Sequence, residues 1–101
     1  MQFDQVSVGK KANVYFDGKC VSHTVTLPDG TRKSVGVVLP STLRFDLTTK
    51  EIMEVVDGTA YVSINGQAEK PFSAGQSWTV EAGGYFVIRA DQPVHYVCHF
   101  G

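Results

Sequence analysis

This sequence has almost no excess of charge: 9 Lys and Arg against 10 Asp and Glu leave a formal net charge of −1 at pH 7. Gripping a phosphate backbone or an anionic bilayer takes a surplus of cations, so neither nucleic acid nor a membrane surface is an expected partner. Long apolar runs are missing as well; none approaches the ~20 residues that a bilayer-crossing helix requires. The opening MQFDQVSVGKK lacks the basic-then-apolar order of a secretory signal. The expected location is the cytoplasm, and the expected partner is a small molecule or a second copy of the chain. Cysteine is scarce too: Cys20 and Cys98 lie far apart on apolar segments and read as buried thiols of a reducing compartment.

Histidine is the most informative shortage. Only His23, His95 and His99 occur. The i, i+4 spacing of His95 and His99 would chelate a metal on a helix, but on a strand it separates them by roughly 13 Å. They also alternate with the apolar face that carries Tyr96 and Cys98. His23, in VSHTVT, has no partner nearby in sequence, so surface roles are expected for all three.

What the sequence does have is turn chemistry. DG at 17–18, PDG at 28–30, DG at 57–58, NG at 65–66, AG at 74–75, GG at 83–84 and DQP at 91–93 punctuate the chain. Between them lie short segments rich in Val, Ile, Thr, Tyr and Phe, whose branched or aromatic side chains pack well on a pleated surface. Period-two alternation sorts them into faces: Leu43, Phe45 and Leu47 against Thr42, Arg44 and Asp46; Ala60, Val62 and Ile64; then Val94, Tyr96, Cys98 and Phe100. Apart from a possible helical turn near the N-terminus, no segment has helical periodicity. The reading is all-β, a sandwich or small barrel, with residues 1–101 as one domain that could bury roughly 60–65% of its unfolded surface.

The stretch TLRFDLTTKEIMEVVDG resembles the first motif of the cupin family, in which two histidines, a glutamate and a glycine fall at set spacings. Here those places hold Phe45, Leu47, Glu51 and Gly58. The second motif falls on Gly75, Glu81, Gly83 and Phe86, with Phe86 where the third histidine would stand. Phe and Leu have no atom to donate, and one carboxylate cannot hold a transition metal in water. The resemblance therefore implies a cupin-type β-barrel, a small jelly roll, with no metal site.

A narrower resemblance covers about Asn13 to Phe100, leaving residues 1–12 as an N-terminal extension. Tyr15-Phe16-Asp17-Gly18, Ser34-Val35-Gly36-Val37, Glu51-Ile52-Met53 with Gly58, and Tyr96-Val97-Cys98 look like the signature of the small pyrimidine/purine nucleoside phosphorylases. Glu81 departs from that pattern, where a proline is usual. The resemblance implies a homodimer that uses inorganic phosphate as co-substrate and no cofactor, converting nucleosides to free base and pentose 1-phosphate.

Such chemistry needs donors for phosphate, a pocket that orients the sugar as its ring gains oxocarbenium character, and a group that hydrogen-bonds or protonates the departing base. Glu51 and Tyr96 are the catalytic candidates; the alternative for Glu51 is an exposed carboxylate paired with Lys50 or Arg44. Met53, Phe45 and Phe86 are candidates for walling the pocket and stacking on a base, or are plain core. Arg44, Arg89, Arg32, Lys33 and Ser34 are the phosphate candidates. Strand parity points Arg44 and Arg89 away from the pocket of their own chain, so they would act across a dimer or stay solvated. A non-catalytic cupin binding a sugar or nucleotide-like ligand is the competing function.

Overall fold

The computed structural model describes residues 1–100. Eleven strands follow one another: β1 Ser7–Val8, β2 Asn13–Tyr15, β3 Cys20–Thr26, β4 Arg32–Val38, β5 Ser41–Asp46, β6 Glu51–Asp57, β7 Thr59–Ile64, β8 Lys70–Ser73, β9 Ser77–Val80, β10 Tyr85–Ala90 and β11 Val94–Phe100. In place of the helical turn expected near the N-terminus, Phe16–Gly18 form a tight turn whose backbone is left-handed. No described helix is long and apolar enough to cross a membrane.

The strands form two antiparallel sheets. The larger has seven strands in the order β1-β3-β4-β11-β6-β9, with β2 also paired to β3; the smaller is β5-β10-β7-β8. They face each other as a cupin-type jelly roll without closing into one continuous hydrogen-bonded barrel. The chain crosses between sheets at sharp corners. At the β6–β7 corner Gly58 has a φ of +90°, and a Cβ there would lie 2.6 Å from the Pro93 carbonyl oxygen. Only glycine fits that turn and that approach. The Asn65-Gly66 pair, with φ values of 50° and 78°, closes its turn in the left-handed conformation that NG sequences favour.

Alternation fills the space between the sheets. The larger sheet supplies Val38, Met53, Val55, Val80 and Val94, the smaller Leu43, Ala60, Val62, Phe86 and Ile88, and all are buried in one cluster. The other face of the larger sheet is not simply wet: Val25 and Val97 point away from the core and are still buried. Met1, Phe3, Val6 and Val8 of the N-terminal segment line a groove on this face together with Val25 and Val97; β1 pairs with β3, and the Gly9 amide donates to the Thr24 carbonyl at 2.8 Å. His23 Nδ1 lies 3.0 Å from the Gly9 carbonyl oxygen, and His99 sits between Lys33 Nζ at 2.7 Å and Glu54 at 2.8 Å. All three histidines lie off the interior face, as alternation requires.

Candidate functional site

A cavity of about 230 Å³ opens between the sheets. From the larger sheet it is lined by Ser34, Glu51, Met53, Tyr96 and Cys98, and from the smaller by Phe45, Phe86 and Ile88. Register makes the grouping: Cys98 pairs with Ser34 on one side and Met53 on the other, while Phe86 pairs with Phe45. Because neighbouring strands keep inward residues level, one short layer of the fold brings all of these side chains together. The Phe45 and Phe86 rings stack at 5.3 Å with 24° between planes, giving the cavity an aromatic wall.

Glu51 is the acidic group set deepest among these apolar neighbours. Burial disfavours its charged form and pushes its carboxyl above the ordinary range, while a hydrogen bond from the Cys98 thiol offsets this only in part. The Cys98 thiol is itself pushed up, first by burial and then by the adjacent carboxylate. Tyr96, 6% exposed, keeps its phenol proton for the same reason, with burial the main cause. Its hydroxyl lies 3.4 Å from Cys20 Sγ. That hydroxyl rests against Gly36, where a Cβ would come within 2.7 Å of it and 2.7 Å of the Val21 carbonyl oxygen. Gly36 therefore lets Tyr96 lie flat along the strands.

Glu51, Tyr96, Phe45, Met53, Phe86 and Ser34 all line this cavity. Arg44 and Arg89 do not. Arg44 lies on the outer face of the smaller sheet, paired with Asp46 at 3.0 Å and stacked over Tyr85 at 4.0 Å. Arg89 is likewise outside, held by Glu69 at 3.0 Å and Asp91 at 2.9 Å over the Tyr61 ring. This is the outward placement that strand parity predicts, since each alternates with an inward neighbour. Among the described residues, no Lys, Arg or His side chain lines the cavity. Sequence reasoning passed over Tyr15, Cys20, Ser22 and Phe100, which also line it. The parity of Phe100 with Tyr96 was visible, whereas Cys20 and Ser22 are identified only by the pairing of β3 with β4.

The residues present do not suit a metal. The inward positions at which cupins hold their ligands carry Phe45, Leu47 and Phe86, leaving Glu51 alone. Among the described residues, no three His, Cys, Asp or Glu side chains converge in a way that could hold an ion.

Two facing antiparallel sheets around such a cavity define a cupin-type protein whose metal-binding positions are apolar. Comparison with KdgF from Halomonas supports the fold alone, with a TM-score of 0.72 and 13% identity over 89% of this chain and 84% of that one. The description of the pyrimidine/purine nucleoside phosphorylase family matches residues 10–100, and the chain belongs to that family. A pyrimidine/purine nucleoside phosphorylase of Dechloromonas aromatica is 58% identical over 101 residues, covering 99% of this chain and 98% of the relative. A crystal structure of a protein of unknown function from an Acinetobacter species superposes with a TM-score of 0.96 at 44% identity, covering 99% of this chain and 98% of that one.

Proposed function

We propose that the chain is a pentosyltransferase that splits purine and pyrimidine nucleosides with inorganic phosphate, using no metal or organic cofactor. The observation that carries this reading is the half-buried Glu51 carboxyl facing a cavity walled by Phe45, Phe86 and Tyr96. A phosphate oxygen forms a bond to C1′ while the C1′–N bond breaks and its electron pair leaves with the base. Protonated Glu51 donates its proton to the departing base, and the proton released from hydrogen phosphate restores it. Burial favours the protonated form of Glu51, the form a general acid needs. Tyr96, as a neutral phenol, hydrogen-bonds the sugar, and Met53, Phe45 and Phe86 exclude water around it. Ser34 is the phosphate candidate that lines the cavity; Arg44 and Arg89, on the outer face of the smaller sheet, take no part in their own chain's site.

A homodimer belongs to the same proposal. A groove of about 590 Å³ on the outer face of the larger sheet is lined by Phe3, Val8, Val35, Val56 and Val97 among others. Val8 and Val35 remain 56% and 39% exposed there. Contiguous apolar surface of this kind is covered in most soluble proteins, and a second copy is the covering that fits the small size of the chain. Sedimentation or light scattering tests it. The two buried, unbridged thiols support a reducing, cytoplasmic setting.

One observation favours a second reading: without a cation lining the cavity, a sugar or nucleotide-like ligand could bind without reacting. Incubation with inosine, guanosine, uridine and cytidine, with and without phosphate, separates the two. Release of base together with pentose 1-phosphate, dependent on phosphate, is the expected result; binding without turnover on every nucleoside would overturn the enzymatic reading.

A further inference from the structure

The Tyr15-Phe16-Asp17-Gly18 turn has no part in the chemistry above, yet its backbone is unusual. Phe16, Asp17 and Gly18 follow one another with φ values of 52°, 54° and 91°. A large aromatic residue rarely adopts the left-handed region, because its Cβ crowds the following carbonyl, and such outliers persist where surrounding structure or function demands them. Burial gives only part of an account: Tyr15 and Phe16 remain 43% and 46% exposed. Both stand edge-on to Phe45, at 6.0 Å with 74° between planes and 5.3 Å with 85°. Phe45 in turn stacks on Phe86 inside the cavity, and Tyr15 is part of the cavity lining. Aromatic surface therefore runs without a break from the interior wall to a half-exposed pair of rings at the mouth.

We propose that this turn is the nucleobase-recognition element, in which Tyr15 and Phe16 stack on the heteroaromatic base while the sugar lies deeper, toward Glu51 and Tyr96. The inference rests on the phosphorolytic reading and adds to it the residues that read the base. Ring stacking is tolerant of base identity because every base has a π-face, so this platform accepts purines and pyrimidines alike. Strain in the turn follows from its purpose: a side chain is held out at the mouth where glycine would satisfy the backbone better.

The test is Phe16→Gly, with Phe16→Asn as a second variant, since both residues tolerate a positive φ. Binding of inosine and of uridine without phosphate is measured by calorimetry and by the fluorescence of Trp78, whose ring lies 5.6 Å from Phe86. Affinity should fall by about five- to a hundredfold for both nucleosides. Ribose 1-phosphate, which has no base, should bind as it does to the parent protein, and the melting temperature of Phe16→Gly should not fall. Parent protein that binds nucleosides, with both variants binding them equally well, would overturn this inference and leave the phosphorolytic reading standing. Parent protein that binds no nucleoside would overturn both. A Phe16→Gly chain that unfolds or melts lower would show the residue to be a packing element and refute the strain argument.

Discussion

Replacing Gly36 by alanine should cost stability through a collision whose partners are known. An added Cβ would lie 2.7 Å from the Tyr96 hydroxyl, 2.7 Å from the Val21 carbonyl oxygen and 2.8 Å from the Ser22 Cβ. Gly36 sits in β4 with an ordinary strand backbone, so the change would otherwise favour the folded chain by about 0.4–1 kcal/mol through lost freedom in the unfolded state. The collision opposes this and should win. The Tyr96 hydroxyl can swing aside, but the Val21 carbonyl belongs to the β3–β4 ladder and moves only if the strands part. With a backbone atom among the partners the overpacking lies at the upper end, about 2–3 kcal/mol, so a net loss of about 1–2.5 kcal/mol remains and lowers the melting temperature of a chain of this size by roughly 5–20 °C. Thermal unfolding followed by far-UV circular dichroism reads the shift. Combining Gly36→Ala with Tyr96→Phe removes one of the three contacts and should recover only part of the loss. A melting temperature within about 2 °C of the parent would refute the packing argument, because it would mean less than ~1 kcal/mol of net cost. Full recovery in the double variant would refute the claim that the backbone contact matters.

Glu51→Gln should lower turnover by about a hundredfold or more with the fold intact, as loss of a general acid does; unchanged kinetics would remove Glu51 from the mechanism. Burial raises the folded Glu51 carboxyl above its ordinary value of 4.5, so between that value and the folded one the native chain binds more protons than the unfolded chain. Stability should therefore fall as pH rises through that window and then level off, and denaturant titrations should find the fall reduced in Glu51→Gln. Activity should decline over the upper part of the same window, as the acid loses its proton. Arg44→Ala and Arg89→Ala should leave the KM for phosphate unchanged; a raised KM would place the arginine in a neighbouring copy's site. Phe86→Ala, at a 1% exposed position, should cost about 3–5 kcal/mol in denaturant unfolding.

Much of this architecture can be read from the chain because strands repeat every two residues. Once Phe45 and Leu47 are assigned inward, the outward position of Arg44 follows without further information, and Met53 and Val55 follow from Glu51. Turn residues marked the corners, since Gly58 and the Asn65-Gly66 pair are needed for left-handed backbone. Properties that depend on two distant segments were not legible. Cys98 meets Glu51 only because β11 lies beside β6, and Tyr96 reaches Cys20 across β4 only because Gly36 leaves room. Nor does alternation explain buried Val25 and Val97 on the outer face, which share a groove with Met1, Phe3, Val6 and Val8 of the N-terminal segment. The φ of Phe16 is the clearest case: local propensity argues against a left-handed phenylalanine, and only the ring contacts at the cavity mouth give it a reason.

The apolar residues at the cupin ligand positions and the state of Glu51 are one change seen from two sides. Beside a divalent ion, a carboxylate is held ionised by the positive charge, and its pKa falls. With Phe45, Leu47 and Phe86 at those positions, Glu51 faces a cavity with no cation in its lining, and burial drives its carboxyl the other way. An ionised Glu51 would repel the phosphate that the proposed reaction needs; a protonated one does not, and it also carries the proton that the departing base must take up. On the proposed mechanism, apolar packing at Phe45, Leu47 and Phe86 leaves Glu51 to act as an acid that can share a cavity with phosphate. With no cation in the lining, substrate affinity has to come from surfaces that do not rely on charge. The aromatic continuity from Phe86 through Phe45 to Tyr15 and Phe16 is the largest such surface the cavity has.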